Sequence, residues 1–363
     1  MPSFAEARST QSWRLNAICE ALVAETEPLP VPVGREVLVR VSHCGVCHSD
    51  LHIREGTYNL GAGRTLDLTQ RGIAPPLTLG HEILGTVEAV GPDVTDVKPG
   101  MRRLVHPWIG CGQCALCRSG DENLCAAPRF HGVQARGGFA RHVLVPDATF
   151  LVDVEGIDPA VAATYACSGV TVHSAIKKIQ PHRAGEKIAV FGCGGLGQMA
   201  LQLLKALGFG PVIAIDPSPD KRAAAEKIGV AATLDPFAPD AAKQLAAFGA
   251  GALASALDFV GSEETSTLGI NAVRKGGTYV IVGLYGGELR YPLPYLPMRA
   301  VTIRGSYVGS LNDLKEFVAL ARRVGLPPVA IERRPMAEVN GALTDLAAGR
   351  VAGRIVLEAE PAA

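Results

Sequence analysis

Hydrophobic residues follow two different patterns in the two halves of the chain. In the N-terminal half, segments 36–42 (EVLVRVS) and 83–90 (ILGTVEAV) are short apolar runs, and glycine and proline interrupt the chain at 91–92 and 99–100. Short runs bounded by turn residues, some of them alternating with polar positions, are typical of β-strands. The N-terminal half is therefore predicted to be mainly β and largely antiparallel.

Beyond Pro159 the pattern changes, because short apolar runs alternate with helical stretches. The segments are KIAVFG, GLGQMALQLLKALG, PVIAID, PDKRAAAEKIG, LASALDFVG and GGTYVIVG. Buried strands that alternate with helices predict a doubly wound parallel sheet of the Rossmann type. A helix expected at 312–324 and the strand-like end RIVLEAE lie beyond this alternation, so we expect them to return to the first domain.

The chain of 363 residues is long enough for two domains, and the fold class is predicted to be α/β. We predict a discontinuous first domain of residues 1–166 and 308–363, which carries a lobe at 108–128. Residues 167–307 form the predicted Rossmann domain.

Composition excludes several classes of function. Lysine plus arginine and aspartate plus glutamate number 35 each, so there is no basic excess for binding nucleic acid. No apolar run approaches the ~20 residues needed to span a bilayer. The first residues, MPSFAEARSTQSWRL, are charged and lack the apolar core of a signal peptide. We expect a soluble, cytoplasmic protein with no nucleic-acid or membrane partner.

Four of the nine cysteines lie close together in CGQCALCRSGDENLC, with the spacing C-x2-C-x2-C-x7-C. Four thiolates complete the tetrahedral shell that Zn²⁺ prefers and leave no position open for chemistry. Two disulfides are the alternative, but nothing in the N-terminal residues indicates an oxidising compartment. The spacing therefore predicts a structural zinc site. Its ligands are Cys111, Cys114, Cys117 and Cys125.

A second motif, GCGGLG, directly follows a predicted strand and opens a helix that is expected to continue to Leu207. Glycines let the backbone turn sharply and approach a pyrophosphate, whose charge the N-terminus of a helix favours. A glycine-rich turn that binds nothing is the alternative. The loop glycines are Gly192, Gly194, Gly195 and Gly197.

Asp216 ends the next apolar run, 19 residues after Gly197. A carboxylate at this position can accept hydrogen bonds from the adenosine ribose, and it repels a 2′-phosphate. The sequence therefore favours NAD over NADP.

Three separate segments carry further zinc-ligand types: GVCHSDLH at 45–52, GHE at 80–82 and ACSG at 166–169. If Cys47, His81 and Cys167 converge, they give the Cys2His set with one open position that marks a catalytic zinc. No local spacing rule requires this convergence. The two cysteines could equally be buried thiols, and the histidine could belong to the core.

The motifs GVCHSD, GHE, the four-cysteine lobe, CSGVT, GCGGLG and Asp216 occur in one order along nearly the whole chain. In this order they resemble zinc-dependent alcohol dehydrogenases of the medium-chain dehydrogenase/reductase superfamily. The segment 54–79 and VHPW resemble the bacterial and archaeal members. The resemblance implies a GroES-like, mainly-β catalytic domain beside the Rossmann domain, with NAD and two zinc ions per chain.

The resemblance also implies roles for single residues near the catalytic metal. Cys47, His81 and Cys167 ligate it, Asp50 accepts a hydrogen bond from the far ring nitrogen of His81, and Glu82 lies behind the metal.

Further roles concern the proton path, the substrate pocket and the cofactor. Ser49 and His52 form a proton relay, although His52 could be a solvated surface imidazole. Trp108 lines the substrate pocket, unless it belongs to the core. The implied cofactor contacts are His48 and Arg354 at the pyrophosphate, Asp216 and Lys221 at the ribose, and Thr171, Leu196 and Leu284 around the nicotinamide.

The predicted function is the reversible oxidation of an alcohol to an aldehyde or ketone, with hydride transfer to NAD. The same chemistry on a cyclic alcohol or a hydroxyacyl-CoA derivative is an alternative, whereas polyol dehydrogenases usually lack a cysteine at position 167. A non-catalytic member with structural zinc only is a remote alternative. GGTYVIVGLYGG resembles the edge through which such enzymes pair, so we expect a homodimer or homotetramer. Cys19, Cys44 and Cys193 match no ligand position and are interpreted as reduced structural thiols.

Overall fold

The protein is described by a computed structural model that covers residues 8–359. The predicted outer limits of the first domain, residues 1 and 363, and the last residue of RIVLEAE, Glu360, lie outside these residues. The strands of the N-terminal part are β1 (Ser9–Leu15), β2 (Val23–Pro28), β3 (Val37–Val46), β4 (Thr57–Gly61), β5 (Arg64–Asp67), β6 (Leu77–Thr78), β7 (Glu82–Val90), β8 (Arg102–Val105), β9 (His142–Val145) and β10 (Leu151–Asp153).

Most pairings of these strands are antiparallel, as the sequence predicts. The main sheet has the strand order β10-β8-β7-β3-β18-β17, and β9 also pairs with β3. Two of its strands, β17 (Ile331–Pro335) and β18 (Arg354–Glu358), come from the C-terminal part of the chain. A second sheet has the order β2-β1-β6, and β4 and β5 form a separate hairpin. The helices of this part are α1 (His48–Glu55), α2 (Ala115–Ser119) and α3 (Pro159–Thr164), and single 3-10 turns lie at Thr69–Arg71, Glu122–Leu124 and Ala148–Phe150.

The Rossmann part is a six-stranded sheet in the order β13-β12-β11-β14-β15-β16, and every pairing in it is parallel. Its strands are β11 (Lys187–Phe191), β12 (Val212–Ile215), β13 (Ala232–Leu234), β14 (Leu253–Asp258), β15 (Thr278–Ile281) and β16 (Thr302–Gly305). All six residues of β14 are buried, which accounts for its mostly apolar sequence. The helices are α4 (Val170–Lys177), α5 (Gly195–Ala206), α6 (Pro219–Ile228), α7 (Ala241–Gly249), α8 (Glu263–Ala272) and α9 (Tyr295–Arg299).

After β16 the chain returns to the main sheet. Helices α10 (Leu311–Val324) and α11 (Val339–Ala347) and a 3-10 turn at Met336–Glu338 complete this part. Strand β18 pairs antiparallel with β3, with Val356 opposite Gly45. The α/β class and the two kinds of sheet are confirmed, whereas the domain boundaries 1–166, 167–307 and 308–363 remain predictions. Within residues 8–359, none of the helices combines the length and hydropathy that crossing a membrane requires.

Candidate metal and dinucleotide site

Cys47 lies at the junction between β3 and α1, where it is the extended residue that precedes the helix. The Asp50 carboxylate accepts hydrogen bonds from the backbone N–H of Cys47 at 2.9 Å and of Gly80 at 3.1 Å. One buried side chain therefore fixes two segments: the start of α1 and the turn before His81. Without it, two buried backbone donors would lose their partner.

Cys167 reaches the same place from a segment 120 positions further along the chain. It lies in a π-helical turn, Tyr165–Gly169, between α3 and α4. Its Sγ is 4.0 Å from Sγ of Cys47, and ligand atoms of Cys47, His81, Glu82 and Cys167 all lie within 4.8 Å of one another. Two sulfurs at Zn–S distances of ~2.3 Å and a tetrahedral angle stand about 3.8 Å apart. The spacing therefore fits zinc.

His81 supplies the nitrogen of this cluster. Its side chain is fully buried, with Nδ1 3.3 Å from Oδ1 of Asp50. Neither ring nitrogen has a well-formed hydrogen bond. Nδ1 at least lies beside Asp50, whereas Nε2 is a buried polar atom without a partner. Buried polar atoms are rarely left unpaired, and a metal ligand is one of the few explanations. A hydrogen bond from Cys167 holds the pKa of the Cys47 thiol well below its usual range, which favours the thiolate that a metal binds.

Glu82 and Arg354 form a buried ion pair behind the cluster. Burial raises the pKa of Glu82 to about 7, although the guanidinium opposes this shift. The same arginine packs against the glycine loop, because a Cβ atom at Gly195 would lie 2.3 Å from its Cδ. Arg354 thus connects the metal cluster with the loop that is expected to bind the pyrophosphate.

Each glycine of the G-x-G-x-x-G pattern has a distinct environment. Gly192 has φ of +84°, which a residue with a side chain rarely adopts. A Cβ atom at Gly197 would lie 1.8 Å from the carbonyl oxygen of Gly192, so strand and helix approach too closely for any side chain. A Cβ at Gly194 would meet nothing within 4 Å, and this side of the loop is open for a ligand.

Asp216 follows β12 and is buried next to this loop. Its carboxylate accepts hydrogen bonds from the backbone N–H of Cys193 at 2.8 Å and of Ser218 at 2.9 Å. The side chain therefore holds the glycine loop against the end of β12, which is where an adenosine ribose would lie in a Rossmann fold.

The other residues that are expected at the cofactor differ in exposure. His48 is exposed at the start of α1, and the charges of Arg354 and Lys221 act on its imidazole. Thr171 is buried, and its hydroxyl has no hydrogen-bond partner. Leu196 is half-buried, and Leu284 is 46% exposed.

Ser49 and His52 lie on α1 beside the metal cluster. The Ser49 hydroxyl oxygen is 3.8 Å from Sγ of Cys47. His52 is half-buried, with its ring centroid 4.7 Å from that of Tyr58, and burial lowers its pKa. The imidazole is therefore neutral over a wider acidic range than a solvated histidine.

Trp108 is almost completely buried and donates a hydrogen bond from Nε1 to the carbonyl oxygen of Ala166 at 2.9 Å. Its ring centroid is 5.2 Å from that of His81. The tryptophan thus packs both on a cluster residue and on the turn that carries Cys167.

The four-cysteine lobe also has the geometry of a metal site. Sulfur–sulfur distances are 4.0 Å for Cys111–Cys117, 3.5 Å for Cys114–Cys117 and 3.8 Å for Cys114–Cys125. Backbone N–H groups of Gln113 and Cys114 lower the pKa of Cys111 to about 6. All nine cysteines are free, and the thiols of Cys44 and Cys193 are buried, whereas Cys19 is exposed.

Several residues near the site have no sequence signal of their own. Phe130 packs edge-on against Trp108, and Tyr307 lies next to Phe130. The β4–β5 hairpin carries Tyr58 toward His52. Phe130 and Tyr307 lie outside the helices and strands and Tyr58 lies on a short strand, so only the tertiary contacts reveal these aromatic residues.

A mainly antiparallel domain with a Cys2His cluster, joined to a parallel sheet with a glycine-rich dinucleotide loop, defines a metal-binding dehydrogenase. The sequence matches two family models: Alcohol dehydrogenase GroES-like domain over residues 34–156 and Zinc-binding dehydrogenase over residues 195–323. The chain therefore belongs to the zinc-binding alcohol dehydrogenase family, as predicted.

Similar proteins span the whole chain. The chain is 33% identical over 348 residues to an NAD-dependent alcohol dehydrogenase of Sulfurisphaera tokodaii, and the match covers 96% of this chain and 99% of that protein. The alcohol dehydrogenase structure of Aeropyrum pernix matches with a TM-score of 0.86 and 32% identity, over 96% of this chain and 99% of that one. The structure of acetophenone reductase of Geotrichum candidum in complex with NAD matches with a TM-score of 0.82 and 29% identity, over 96% of this chain and 97% of that one.

Proposed function

We propose that the protein oxidises an alcohol reversibly to an aldehyde or ketone with NAD as the hydride acceptor. The observation that carries this proposal is the convergence of Cys47, His81 and Cys167, three residues far apart in sequence, within 4.8 Å at the junction of the two domains. The family membership and the names of the relatives agree with it. The cluster itself does not specify which alcohol is oxidised.

The residues fit two zinc ions. The unpartnered Nε2 of His81 and the 4.0 Å sulfur separation suit one ion, and the four-cysteine lobe suits another. When bound, the first zinc supplies Lewis acidity toward an alcohol oxygen, and NAD supplies the hydride acceptor. Asp50 orients the imidazole, because its Oδ1 lies beside Nδ1 and is itself fixed by the N–H of Gly80.

A proton must leave the alcohol as it is oxidised. We assign its first acceptor to the Ser49 hydroxyl, 3.8 Å from Sγ of Cys47, and its exit to a ring nitrogen of His52, which is half-buried. Burial, which lowers the pKa of His52, keeps the imidazole neutral and able to accept the proton near neutral pH. A Ser49→Ala variant is expected to lose about 10²-fold or more in kcat. Undiminished turnover would remove Ser49 from the path.

The cofactor roles follow the same geometry. The open side of Gly194 and the charges of Arg354 and Lys221 suit a pyrophosphate, and a neutral His48 imidazole, whose pKa burial lowers, can donate a hydrogen bond to it. The buried carboxylate of Asp216 favours a free ribose over a 2′-phosphate, and therefore NAD. The unpartnered hydroxyl of Thr171 and the side chains of Leu196 and Leu284 are assigned to the nicotinamide, and Trp108 to the inner wall of the substrate pocket.

The experiment that tests the function compares two cysteines of one segment. Cys47→Ala removes a proposed ligand, whereas Cys44→Ala removes a buried thiol three residues earlier that lies outside the cluster. We expect wild type and Cys44→Ala to hold two zinc ions per chain and to oxidise alcohols with NAD. Cys47→Ala should hold one zinc and show no turnover. Full turnover by Cys47→Ala would contradict the proposal.

We also propose that the chain assembles as a homodimer or homotetramer in the cytoplasm. Strand β16 is the edge of the parallel sheet, and exposed apolar side chains follow β15. They are Leu284, Tyr285, Leu293, Tyr295 and Met298. A patch of this kind beside an open sheet edge suits pairing about a two-fold axis. Light scattering after size exclusion tests this, and a monomer is the contrary result. The nine free thiols suit a reducing compartment.

A further inference from the structure

A cavity opens on the main sheet at the point where two strands follow one another along the same edge of β3. Strand β9 pairs with residues 37–40 of β3, and β18 pairs with residues 43–46. The cavity has a volume of about 550 Å³, and Val41, between these two stretches, is part of its lining. Small-molecule sites commonly measure ~300–1,000 Å³, so this cavity is large enough for a small organic ligand.

The register of the strands places four polar side chains side by side at this cavity. His142 of β9 lies opposite Arg40 of β3, and Arg40 lies opposite Thr86 of β7. Directly opposite residues share a face of the sheet, and so do residues two apart on one strand, which adds Glu88. All four line the cavity. A guanidinium, an imidazole, a hydroxyl and a carboxylate therefore meet there.

Glu88 is the one acidic residue of the cavity lining in the described part of the chain, and both of its oxygens are engaged. Oε1 forms an ion pair with Arg8, and Oε2 lies 3.0 Å from Nε2 of His142. The hydroxyl of Thr10 lies 2.8 Å from Nδ1 of the same ring, so a neutral imidazole can accept from Thr10 and donate to Glu88. The charge of Glu88 is thus matched by that of Arg8.

Arg40 keeps a charge and donors that these contacts do not match. Its Nε is 3.6 Å from Oε2 of Glu88, which is longer than a hydrogen bond, and its guanidinium has no second ion pair among residues 8–359. A guanidinium carries five N–H donors in a rigid fork. The Arg40 side chain is 45% exposed, and Arg8 and Arg141 also line the cavity. The cavity therefore presents excess positive charge to a ligand.

We infer that this cavity binds the phosphate group of a small organic phosphate ester, with the fork of Arg40 and the hydroxyl of Thr86 as donors. A phosphate ester carries close to two negative charges at neutral pH and three acceptor oxygens, and an arginine fork binds two of them at once. The rest of the lining is apolar or small and includes Val87, Pro99 and Ala359, which suit the organic part. A bare phosphate would leave much of the volume unfilled.

The cavity is separate from the metal cluster and from the glycine loop. Arg40 lies on β3, and Cys47 follows the end of this strand, seven positions later. An extended chain rises ~3.3 Å per residue, which puts the two residues roughly 20 Å apart. The phosphate site is therefore independent of the proposed function, and its ligand is expected not to compete with NAD.

The test is calorimetric titration of the full chain, saturated with NAD so that the glycine loop is filled. The probes are phenyl phosphate, inorganic phosphate and benzoate, which carries the same ring on a carboxylate. We expect phenyl phosphate to bind most tightly. Arg40→Gln should weaken its binding about tenfold or more, and Thr86→Val, which keeps every charge, about threefold. Arg323→Gln removes an equal charge from an exposed position of α10 and should stay within about twofold of the wild type.

Arg40→Lys keeps the charge without the fork and should bind phenyl phosphate with intermediate affinity, which provides a second variant if Arg40→Gln unfolds. Zinc content and thermal unfolding without ligand check each fold. Absence of phenyl phosphate binding, or equal binding by the wild type and both Arg40 variants, would overturn the inference. Benzoate binding as tightly as phenyl phosphate would also overturn it.

Equal affinity for inorganic phosphate and phenyl phosphate would support the phosphate site but overturn the organic part of the ligand. Alcohol oxidation by Arg40→Gln should equal that of the wild type, because Arg40 is remote from the metal cluster. A chain that binds phenyl phosphate but oxidises no alcohol would contradict the proposed function and leave the phosphate site standing.

Discussion

Two alanine substitutions in the glycine loop should separate folding from cofactor binding. In Gly197→Ala the new Cβ would lie 1.8 Å from the carbonyl oxygen of Gly192, whereas ordinary contacts begin near 3.4 Å. The atom that must give way is backbone, so α5 has to move away from the end of β11. Overpacking of this kind typically costs about 1–3 kcal/mol, and a backbone obstacle places Gly197→Ala at the upper end.

In Gly194→Ala the Cβ meets nothing within 4 Å, and the backbone at φ −72° suits alanine. The protein should therefore unfold at the wild-type urea concentration. The methyl group, however, points into the side of the loop that is proposed to receive the pyrophosphate, so NAD affinity should fall by about tenfold or more, which corresponds to ~1.4 kcal/mol.

Urea unfolding without cofactor and calorimetric titration with NAD measure the two effects separately. Gly197→Ala is expected to lower the free energy of unfolding, and Gly194→Ala to weaken only NAD binding. Wild-type stability in Gly197→Ala would refute the packing argument. Wild-type NAD affinity in Gly194→Ala would place the cofactor elsewhere.

Three further predictions concern the lobe, the ribose contact and pH. Cys125→Ser should release one zinc per chain and lower the midpoint of thermal unfolding, while the second zinc stays bound. Metal analysis and calorimetry measure these two effects. An unchanged zinc content would contradict the assignment of the four-cysteine lobe as a zinc site. Asp216→Asn should raise KM for NAD about tenfold and reduce discrimination against NADP, since a charged acceptor is lost; steady-state kinetics with both cofactors decide this. Burial lowers the pKa of His131, so the neutral imidazole should contribute its full stability above the ordinary pKa of ~6.5, and this contribution should be lost as the pH falls through the lowered pKa of the folded protein. In urea unfolding, the free energy of unfolding of His131→Gln should therefore fall less steeply with acid than that of the wild type. An unchanged dependence on pH would contradict this.

Much of the fold could be predicted because local pattern and tertiary role coincide. The run from Leu253 to Asp258 is mostly apolar because both faces of a central parallel strand are covered. Gly192 and Gly197 are glycines because a positive φ at the first and a close backbone approach at the second exclude other residues. The lobe cysteines are close in sequence, so their spacing alone indicates a shared metal.

Other features depend on contacts that no spacing encodes. Cys167 lies in a π-helical turn whose sequence, YACSG, carries no π signal. Glu82 pairs with Arg354, 272 positions away, and only the pairing of both β7 and β18 with β3 brings their strands together. The β4–β5 hairpin is polar and irregular in sequence, and its position comes from the contact with Glu288. Such long-range pairs are decided by topology rather than by periodicity.

The most direct test of the account is a crystal structure with anomalous scattering recorded at the zinc absorption edge. The account predicts two peaks per chain, one within the four-cysteine lobe and the other about 2.3 Å from the sulfurs of Cys47 and Cys167 and about 2.1 Å from a ring nitrogen of His81. A single peak in the lobe, with these three side chains free of metal in zinc-containing buffer, would contradict it.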